Sequence, residues 1–382
     1  MNQSPRPIKN VLIVGGGIGG QSVAIALKKA GINAEIAEIQ QAFSVYGVGI
    51  IQMANALRAL DAIGVADEAM RRGSPYGMVK LCTPTGFPFG ETGVPPMGRF
   101  PSHNGISRRI LHEVLYAEAV KVGVRFRMGL TVDTIDNRPD GVDVHFTDGS
   151  TGRYDVLITA DGINSKVRKL VFGEYTPNYV GLSVWRYPFK RPAALDTGYM
   201  FFGKKSRVGL IPMTADSMYM FVVTAEGEKP QIPDDMLVDK LKAYLSEYPA
   251  NLVQDVIDQI TDPKLVNYRP LETLKMPSPW YKNRVVVLGD AAHATIPQLG
   301  SGAALALEDA VVLAELLQKD EPVEALFEQY MKRRLDRCMM VVEASETLGK
   351  WELMEFNGQP LPEGAHVGAV MGKTLMALTA PI

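Results

Sequence analysis

Residues 11–20 read VLIVGGGIGG, four apolar residues running directly into a stretch dominated by glycine. A continuous, largely β-branched run ended by glycine predicts a strand buried in a parallel sheet. Residues 18–30 (IGGQSVAIALKKA) then carry Ile18, Val23, Ala26 and Leu27 at helical spacing, with Gly31 as the stop. Residues 34–38 (AEIAE) make a second short strand ending on Glu38. Strand, glycine loop, helix and strand form one βαβ unit, expected to be parallel and right-handed.

Within that unit Gly15, Gly17 and Gly20 fit GxGxxG, with Gly19 in the same loop. The first glycine permits a tight turn and the second lets a pyrophosphate approach the backbone. The third lets the helix pack close to the sheet, and the positive end of the helix then faces the phosphates. Glu38 stands 18 residues beyond Gly20, where a carboxylate accepts hydrogen bonds from a ribose diol. The unit predicts dinucleotide binding and does not separate NAD from FAD.

Further along, a helix is expected at about 53–63 and another at 107–122. Residues 124–158 alternate around Asp-Gly turns at 140–141 and 148–149, and 181–225 is again strand-like, so a hairpin-rich region is predicted. Two helices at about 234–247 and 250–260 precede a strand near 266–275. RVVVLGD follows as a buried strand, then helices at about 302–317 and 322–349 and a Gly/Pro-rich tail after Asn357. The fold class is therefore α/β: a discontinuous Rossmann-like domain with an inserted, mostly antiparallel sheet and C-terminal helices. Its expected division is 1–75 with 100–175 and 276–320, then 76–99 with 176–275, then 321–382.

With 382 residues the chain can bury two substantial cores, and its net charge of −2 offers no case for nucleic acid or an anionic membrane as partner. Its two cysteines, Cys82 and Cys338, are far apart, which argues against a disulfide framework or zinc site and favours a cytoplasmic setting. The longest late apolar stretch is broken by Glu308, Asp309 and Glu315, so no membrane span is expected.

Two further motifs carry chemistry. In 155–168 (DVLITADGINSKVR) an apolar strand ends at Asp161–Gly162, which alone reads equally as a turn, with Arg168 on a solvated helix. In 284–309 (RVVVLGDAAHATIPQLGSGAALALED) a strand ends at Gly289–Asp290 and a glycine-rich loop opens a helix. An aspartate there can accept hydrogen bonds from a polyol, and the helix N–H groups can hold partial negative charge. His293 reads as a packed, hydrogen-bonded histidine rather than a base.

In this order and separation the three motifs resemble the FAD-dependent aromatic hydroxylases of the p-hydroxybenzoate hydroxylase fold, the group that includes salicylate and 6-hydroxynicotinate hydroxylases. The resemblance covers nearly the whole chain. It implies that Gly15, Gly17, Gly20 and Glu38 hold the ADP half of FAD, and that Arg108 lies near the phosphates and adenosine. Asp161 and Gly162 would serve FAD and NAD(P)H binding, and Asp290 the ribityl or pyrophosphate region. Pro297 would place its carbonyl over the reacting flavin edge, while Gly302 and Ala303 offer N–H groups to the isoalloxazine. One departure stands out: the family's arginine shortly after the acid of the second strand is missing from EIQQAFSVYGVGI.

The resemblance further implies reduction of FAD by NADH or NADPH, reaction with O₂ to a C4a-hydroperoxide, and oxygen transfer to an electron-rich ring such as a phenol, hydroxybenzoate or hydroxypyridine. Such a ring reacts best as its anion, so a proton acceptor is wanted. His103, in an irregular segment before Arg108, is the histidine candidate, while His112, His145 and His366 read as structural residues on surface helix, strand and tail. Tyr187, Tyr199 and Tyr219 lie on the sheet expected to roof the substrate, and Tyr219 is the tyrosine candidate for the catalytic set with His103 and Pro297. Residues 46–50 (YGVGI) are expected beside the flavin, and Phe201, Phe202, Met213, Met218 and Met220 suggest an apolar pocket wall. Arg186 reads either as a cation for a substrate carboxylate or as a sheet-edge arginine. Other FAD-dependent chemistry on this scaffold (an epoxidase or reductase) and a non-catalytic escort protein are the alternatives. A monomer or homodimer is expected.

Overall fold

The computed structural model describes residues 7–43 and 48–382. At its centre lies a six-stranded sheet built on Asn10–Val14. This strand pairs in parallel with Asn33–Glu38 on one side and Val156–Thr159 on the other. Arg125–Met128 extends the sheet beyond Asn33–Glu38, and Val285–Val287 extends it beyond Val156–Thr159, both in parallel. Tyr281–Lys282 closes one edge antiparallel. The continuous apolar run has its predicted cause: Val11, Leu12, Ile13 and Val14 are all buried, covered on both faces of the sheet.

The parallel arrangement brings three distant loops to one edge. Gly15 follows Val14, Ala160 follows Thr159, and Leu288 follows Val287. The loops are stitched to neighbouring strands by Gly15 N–H to Ala37 O (2.9 Å), Ala160 N–H to Val14 O (2.8 Å) and Leu288 N–H to Thr159 O (3.1 Å). Ligands of open α/β sheets bind outside such carboxyl ends. Two helices flank this edge and pack on each other, Ile18–Lys29 from the glycine loop and Gly302–Leu316 from the third motif.

A seven-stranded sheet stands over that edge. Its order is Asn267–Thr273, Asn178–Lys190, Ser217–Ala225, Ser206–Pro212, Tyr199–Phe202, Val79–Cys82 and Pro88–Thr92. All its pairings are antiparallel except that of Tyr199–Phe202 with Val79–Cys82. Strand alternation gives the sheet two different faces. Trp185, Phe201, Val208, Met220 and Val222 pack backward against the helices Leu237–Leu245 and Asn251–Ile257. The opposite face roofs the cavity described below.

Several local expectations change. The hairpin region read over 124–158 is only an antiparallel meander, Val132–Arg138, Gly141–Phe146 and Thr151–Tyr154; its two ends, Arg125–Met128 and Val156–Thr159, belong to the parallel sheet. The segment around His103, read as irregular, is the strand His103–Ser107, central in a small sheet between Gly49–Met53 and Ser74–Tyr76. The late helix continues past 349 to give Val323–Phe356, and the tail contains a further helix, Val367–Ala377. Phe201, Met218 and Met220, expected in the pocket wall, belong to the rearward core.

Candidate active site

Backbone geometry at the glycine loop leaves no room for side chains. Gly15 has φ +102°, and a Cβ there would lie 2.5 Å from the Ala160 carbonyl oxygen. A Cβ on Gly20 would lie 1.9 Å from the Gly15 carbonyl oxygen, so the third glycine is dictated first by the fold of the loop itself. Gly17 differs, because nothing lies within 4 Å of its notional Cβ and it faces open cavity. The helix that follows has no side-chain cap, which leaves its first N–H groups free for an anion. Glu38 closes the other side. Its carboxylate accepts from Gly16 N–H (2.7 Å) and Gln40 N–H (2.9 Å), which fixes its orientation beside the loop.

His112, read as a surface residue, is buried at this loop. Its Nε2 lies 3.1 Å from the Gly16 carbonyl, and its ring packs on Phe43 at 4.4 Å between centroids. Burial, partly opposed by that carbonyl, lowers its pKa. The position could have been found from sequence: His112 is four residues after Arg108 on one helix, so the two share a face. Of the expected flavin-side stretch, residues 46 and 47 lie outside the described residues, while Gly49 and Ile50 line the cavity.

The second motif does different work from the reading by turn and solvated helix. Asp161 accepts from Lys166 N–H (2.9 Å) and Val167 N–H (3.3 Å), and also bonds Thr159 Oγ1, so its carboxylate caps the helix Lys166–Phe172. Ala160 and Gly162, on either side, line the cavity. Arg168 is buried rather than solvated and donates to the carbonyls of Ala291 (2.8 Å), Ile163 (2.8 Å) and Tyr175 (3.3 Å). It thereby ties the second motif to the third.

In the third motif Asp290 projects into the cavity, open to its space but deep within the protein. That enclosure raises its carboxyl pKa, partly countered by His293 and Arg108. His293 stands behind the wall, with Nε2 2.7 Å from Asp309. Asp309 also accepts from Gly289 N–H (3.0 Å) and from Arg334 Nε (2.7 Å). Although burial disfavours its charge, His293 and Arg334 hold Asp309 ionised well below the usual carboxylate range. Pro297 starts a 3-10 turn at the cavity wall, and the helix Gly302–Leu316 opens onto the cavity at Gly302 and Ala303, again without a side-chain cap.

These surfaces enclose one cavity of about 1190 Å³. Single small-molecule pockets span roughly 300–1,000 Å³; this one has space for a large cofactor and a second ligand. Two uncapped helix N-termini and an oriented carboxylate on one continuous wall fit FAD: a diphosphate at the first helix, a ribose at Glu38, a flavin carbonyl at the second helix.

The far end is the underside of the seven-stranded sheet. Register sets it out in rows: Arg269, Val184, Val223, Arg207 and Phe202; then Arg186, Phe221, Gly209, Met200 and Leu81; then Tyr219 and Ile211. Tyr187, by contrast, is in the rearward core, and the Tyr199 hydroxyl bonds Asp196 and Lys80. The Tyr219 ring covers Gly49, where a Cβ would lie 2.1 Å from it, and burial pushes its phenol up to about 12 despite Arg186 and Arg108 nearby. His103 also lines this end. Its Nδ1 is 2.7 Å from the Gly77 carbonyl and must donate to it, so in the neutral ring Nε2 carries the lone pair. Its ring stacks on Tyr76 with centroids 5.0 Å apart. Burial lowers its pKa, the Gly77 hydrogen bond opposing in part.

The comparisons agree with this geometry. Residues 9–345 match the FAD binding domain family. The putative FAD-dependent monooxygenase YetM of Bacillus subtilis is 32% identical, covering 92% of this chain and 95% of its own. The 6-hydroxynicotinate 3-monooxygenase of Bordetella bronchiseptica is 29% identical over 88% of this chain and 90% of its own. The crystal structure of Klebsiella pneumoniae HpxO complexed with FAD and uric acid superposes with a TM-score of 0.84 at 26% identity, covering 98% of this chain and 97% of that one. The chain belongs to the FAD-binding family of flavin-dependent monooxygenases.

Proposed function

We propose that the protein hydroxylates an electron-rich aromatic ring of the phenol, hydroxybenzoate or hydroxypyridine type, using O₂ and NADH or NADPH. The observation that carries this reading is the continuity of one cavity from the glycine loop to the underside of the antiparallel sheet. Bound FAD would supply the electron transfer and oxygen activation that no side chain provides. In support, a relative named for 6-hydroxynicotinate and a structural neighbour holding uric acid both handle nitrogen-containing rings.

In this reading Gly15, Gly17, Gly19, Gly20 and Glu38 hold the ADP half of FAD, with His112 beside it, while Arg108 stands nearer Asp290 and Tyr219. Asp290, Gly302 and Ala303 address the ribityl and ring portion, Pro297 borders the reacting edge, and Gly162 borders the nicotinamide approach. Asp161 acts through its helix cap rather than by direct contact. The neutral His103 accepts the ring hydroxyl's proton at Nε2, and the high-pKa Tyr219 phenol serves as a neutral hydrogen-bond donor.

The test is purification with FAD, followed by NADH or NADPH and a panel of hydroxylated rings, scored by O₂ uptake and product mass. A mass increase of one oxygen coupled to nucleotide oxidation is expected. Nucleotide oxidation yielding only hydrogen peroxide with every ring would overturn the hydroxylase reading; no FAD uptake at all would leave an escort protein.

A further inference from the structure

The underside of the roof carries polar groups at two separate rows. At one, Tyr219 and Ile211 cluster with Tyr76, on which the His103 ring stacks. At the other, Arg207 pairs with Val223, each four residues along its strand from Ile211 and Tyr219. At the ordinary rise of a strand the two rows stand about 13 Å apart. Between them runs a row with Phe221, Met200 and Arg186, the last on an inner rather than an edge strand.

Glu352, from the helix Val323–Phe356, joins the cavity wall at the Arg207 end. Its Oε2 accepts from Nε2 of Gln298 (3.0 Å), the residue after Pro297, which fixes the carboxylate to the turn at the expected flavin edge. Its Oε1 is served less well. Arg207 Nε stands 3.7 Å away, beyond hydrogen-bond reach. The rest of that guanidinium is engaged elsewhere, by the Gly203 carbonyl and by Glu355 at 2.6 Å. Rings of Phe202 and Phe356 hold it in place, each with its centroid 4.9 Å away. No described residue donates a hydrogen bond to Glu352 Oε1, and that oxygen is not sealed off but opens on the cavity. Burial raises the Glu352 carboxyl pKa, Arg207 and Gln298 opposing and Glu355 adding to the rise. A carboxylate oxygen enclosed without a donor carries a desolvation cost that an arriving donor relieves.

We propose that Glu352 is a substrate-binding residue, its Oε1 accepting a hydrogen bond from an O–H or N–H at the far end of a substrate whose ring hydroxyl sits at His103 and Tyr219. The proposal rests on the hydroxylase reading and narrows it to substrates longer than a single ring, fused or linked ring pairs with a donor at each end. Phe221 and Met200 of the middle row give such a molecule an apolar wall along its length. Gln298 is a positioning residue here, holding the carboxylate by its other oxygen.

The test titrates FAD-loaded protein with matched pairs in which methylation removes the second donor: 2,6-dihydroxynaphthalene and 6-methoxy-2-naphthol, 6-amino-2-naphthol and 6-(dimethylamino)-2-naphthol, and the one-ring pair hydroquinone and 4-methoxyphenol. Binding is read by perturbation of the flavin absorbance and by calorimetry, for the wild type, Glu352→Leu and Glu352→Gln. At least one two-ring donor is expected to bind the wild type about 10- to 100-fold more tightly than its methylated counterpart, the range of a hydrogen bond to a charged group. The hydroxyl and amine pairs show which donor the site takes, and the one-ring pair should bind alike. Glu352→Leu should lose the preference while keeping its FAD, and Glu352→Gln, which still offers a carbonyl oxygen, should retain part of it. No preference in either two-ring pair, or no binding by any of the six, would overturn the proposal. An undiminished preference in Glu352→Leu would do so too, since bulk alone would then exclude the methyl groups, as would an equal preference in the one-ring pair. Oxygen incorporated into rings that show no such preference would sink the proposal and leave the hydroxylase reading intact. The preference without oxygen incorporated into any ring would do the reverse.

Discussion

At the glycine loop, adjacent residues that look alike in sequence face different constraints. A methyl group on Gly20 would collide with the Gly15 carbonyl, whereas one on Gly17 meets only cavity. Gly20→Ala should therefore destabilise the fold by about 1–3 kcal/mol in urea unfolding, as overpacking does, and weaken FAD binding as a consequence. Gly17→Ala should leave the urea midpoint nearly unchanged and still weaken FAD binding at least several-fold by fluorescence titration. Full FAD affinity in Gly17→Ala would show that the loop does not cradle a phosphate. His103 allows a second prediction. Its pKa is held below the usual 6.5, so the unfolded chain takes up a proton that the native site resists. Stability thus falls as the pH drops through 6.5 toward the lowered native value, and is unaffected above it. With His103 as proton acceptor, turnover should fall on acidification below that value, and His103→Gln should lose about 10²-fold in turnover together with that acid limb. An unchanged acid limb in the variant would move the base elsewhere. The glycines were legible because their constraint is local. For His112 only the shared helix face with Arg108 was there to be read; its partner at Gly16, 96 residues away, was not.

Among the elements, the helix Gly302–Leu316 bears on the site at both ends of one charged cluster. Its Glu308 and Asp309 are both bound by Arg334 of the Val323–Phe356 helix, at 2.9 and 2.7 Å, and Arg337 adds two bonds to Glu308 at 2.8 Å. Asp309 in turn holds Gly289, the residue that places Asp290. Arg334→Leu leaves buried carboxylates short of a counter-charge, and should cost about 3–5 kcal/mol in urea unfolding. A loss under 1 kcal/mol would mean that the two helices hold together by apolar packing alone. In sequence these acids served only to break an apolar run and so to exclude a membrane span, and among the described residues no helix is long and apolar enough to cross one. The apolar periodicity of the helix was readable; the partner that neutralises its acids was not. The helix Val367–Ala377 escaped notice for another reason. Gly368 and Gly372 look like tail residues, yet both lie on that helix and line the cavity. The strand Arg125–Met128 alternates like a hairpin strand because it is the edge of the parallel sheet and one face is partly open.

Across the whole molecule, the cavity is assembled from segments with little reason to meet except through the sheet that carries them. The glycine loop, the Ala160–Gly162 turn and the Gly289–Gly302 segment sit at successive strand ends, and the antiparallel sheet closes over them. A ligand that touches all of them binds only the folded chain, and so must stabilise it by mass action. With free FAD at 100 times its dissociation constant the gain is about 2.7 kcal/mol, rising by about 1.4 for each further tenfold. A urea series at increasing FAD should therefore move the midpoint upward logarithmically, with the slope of the transition unchanged because the same surface is exposed on unfolding. ADP, which can satisfy only the glycine loop and Glu38, should bind more weakly and so produce a smaller shift than FAD at the same free concentration. A shift with ADP equal to that of FAD at the same free concentration would mean that the flavin ring adds nothing to binding. No shift with FAD at any concentration would show that these strand ends do not share one ligand, and the division of labour between cofactor floor and substrate roof would fall with it.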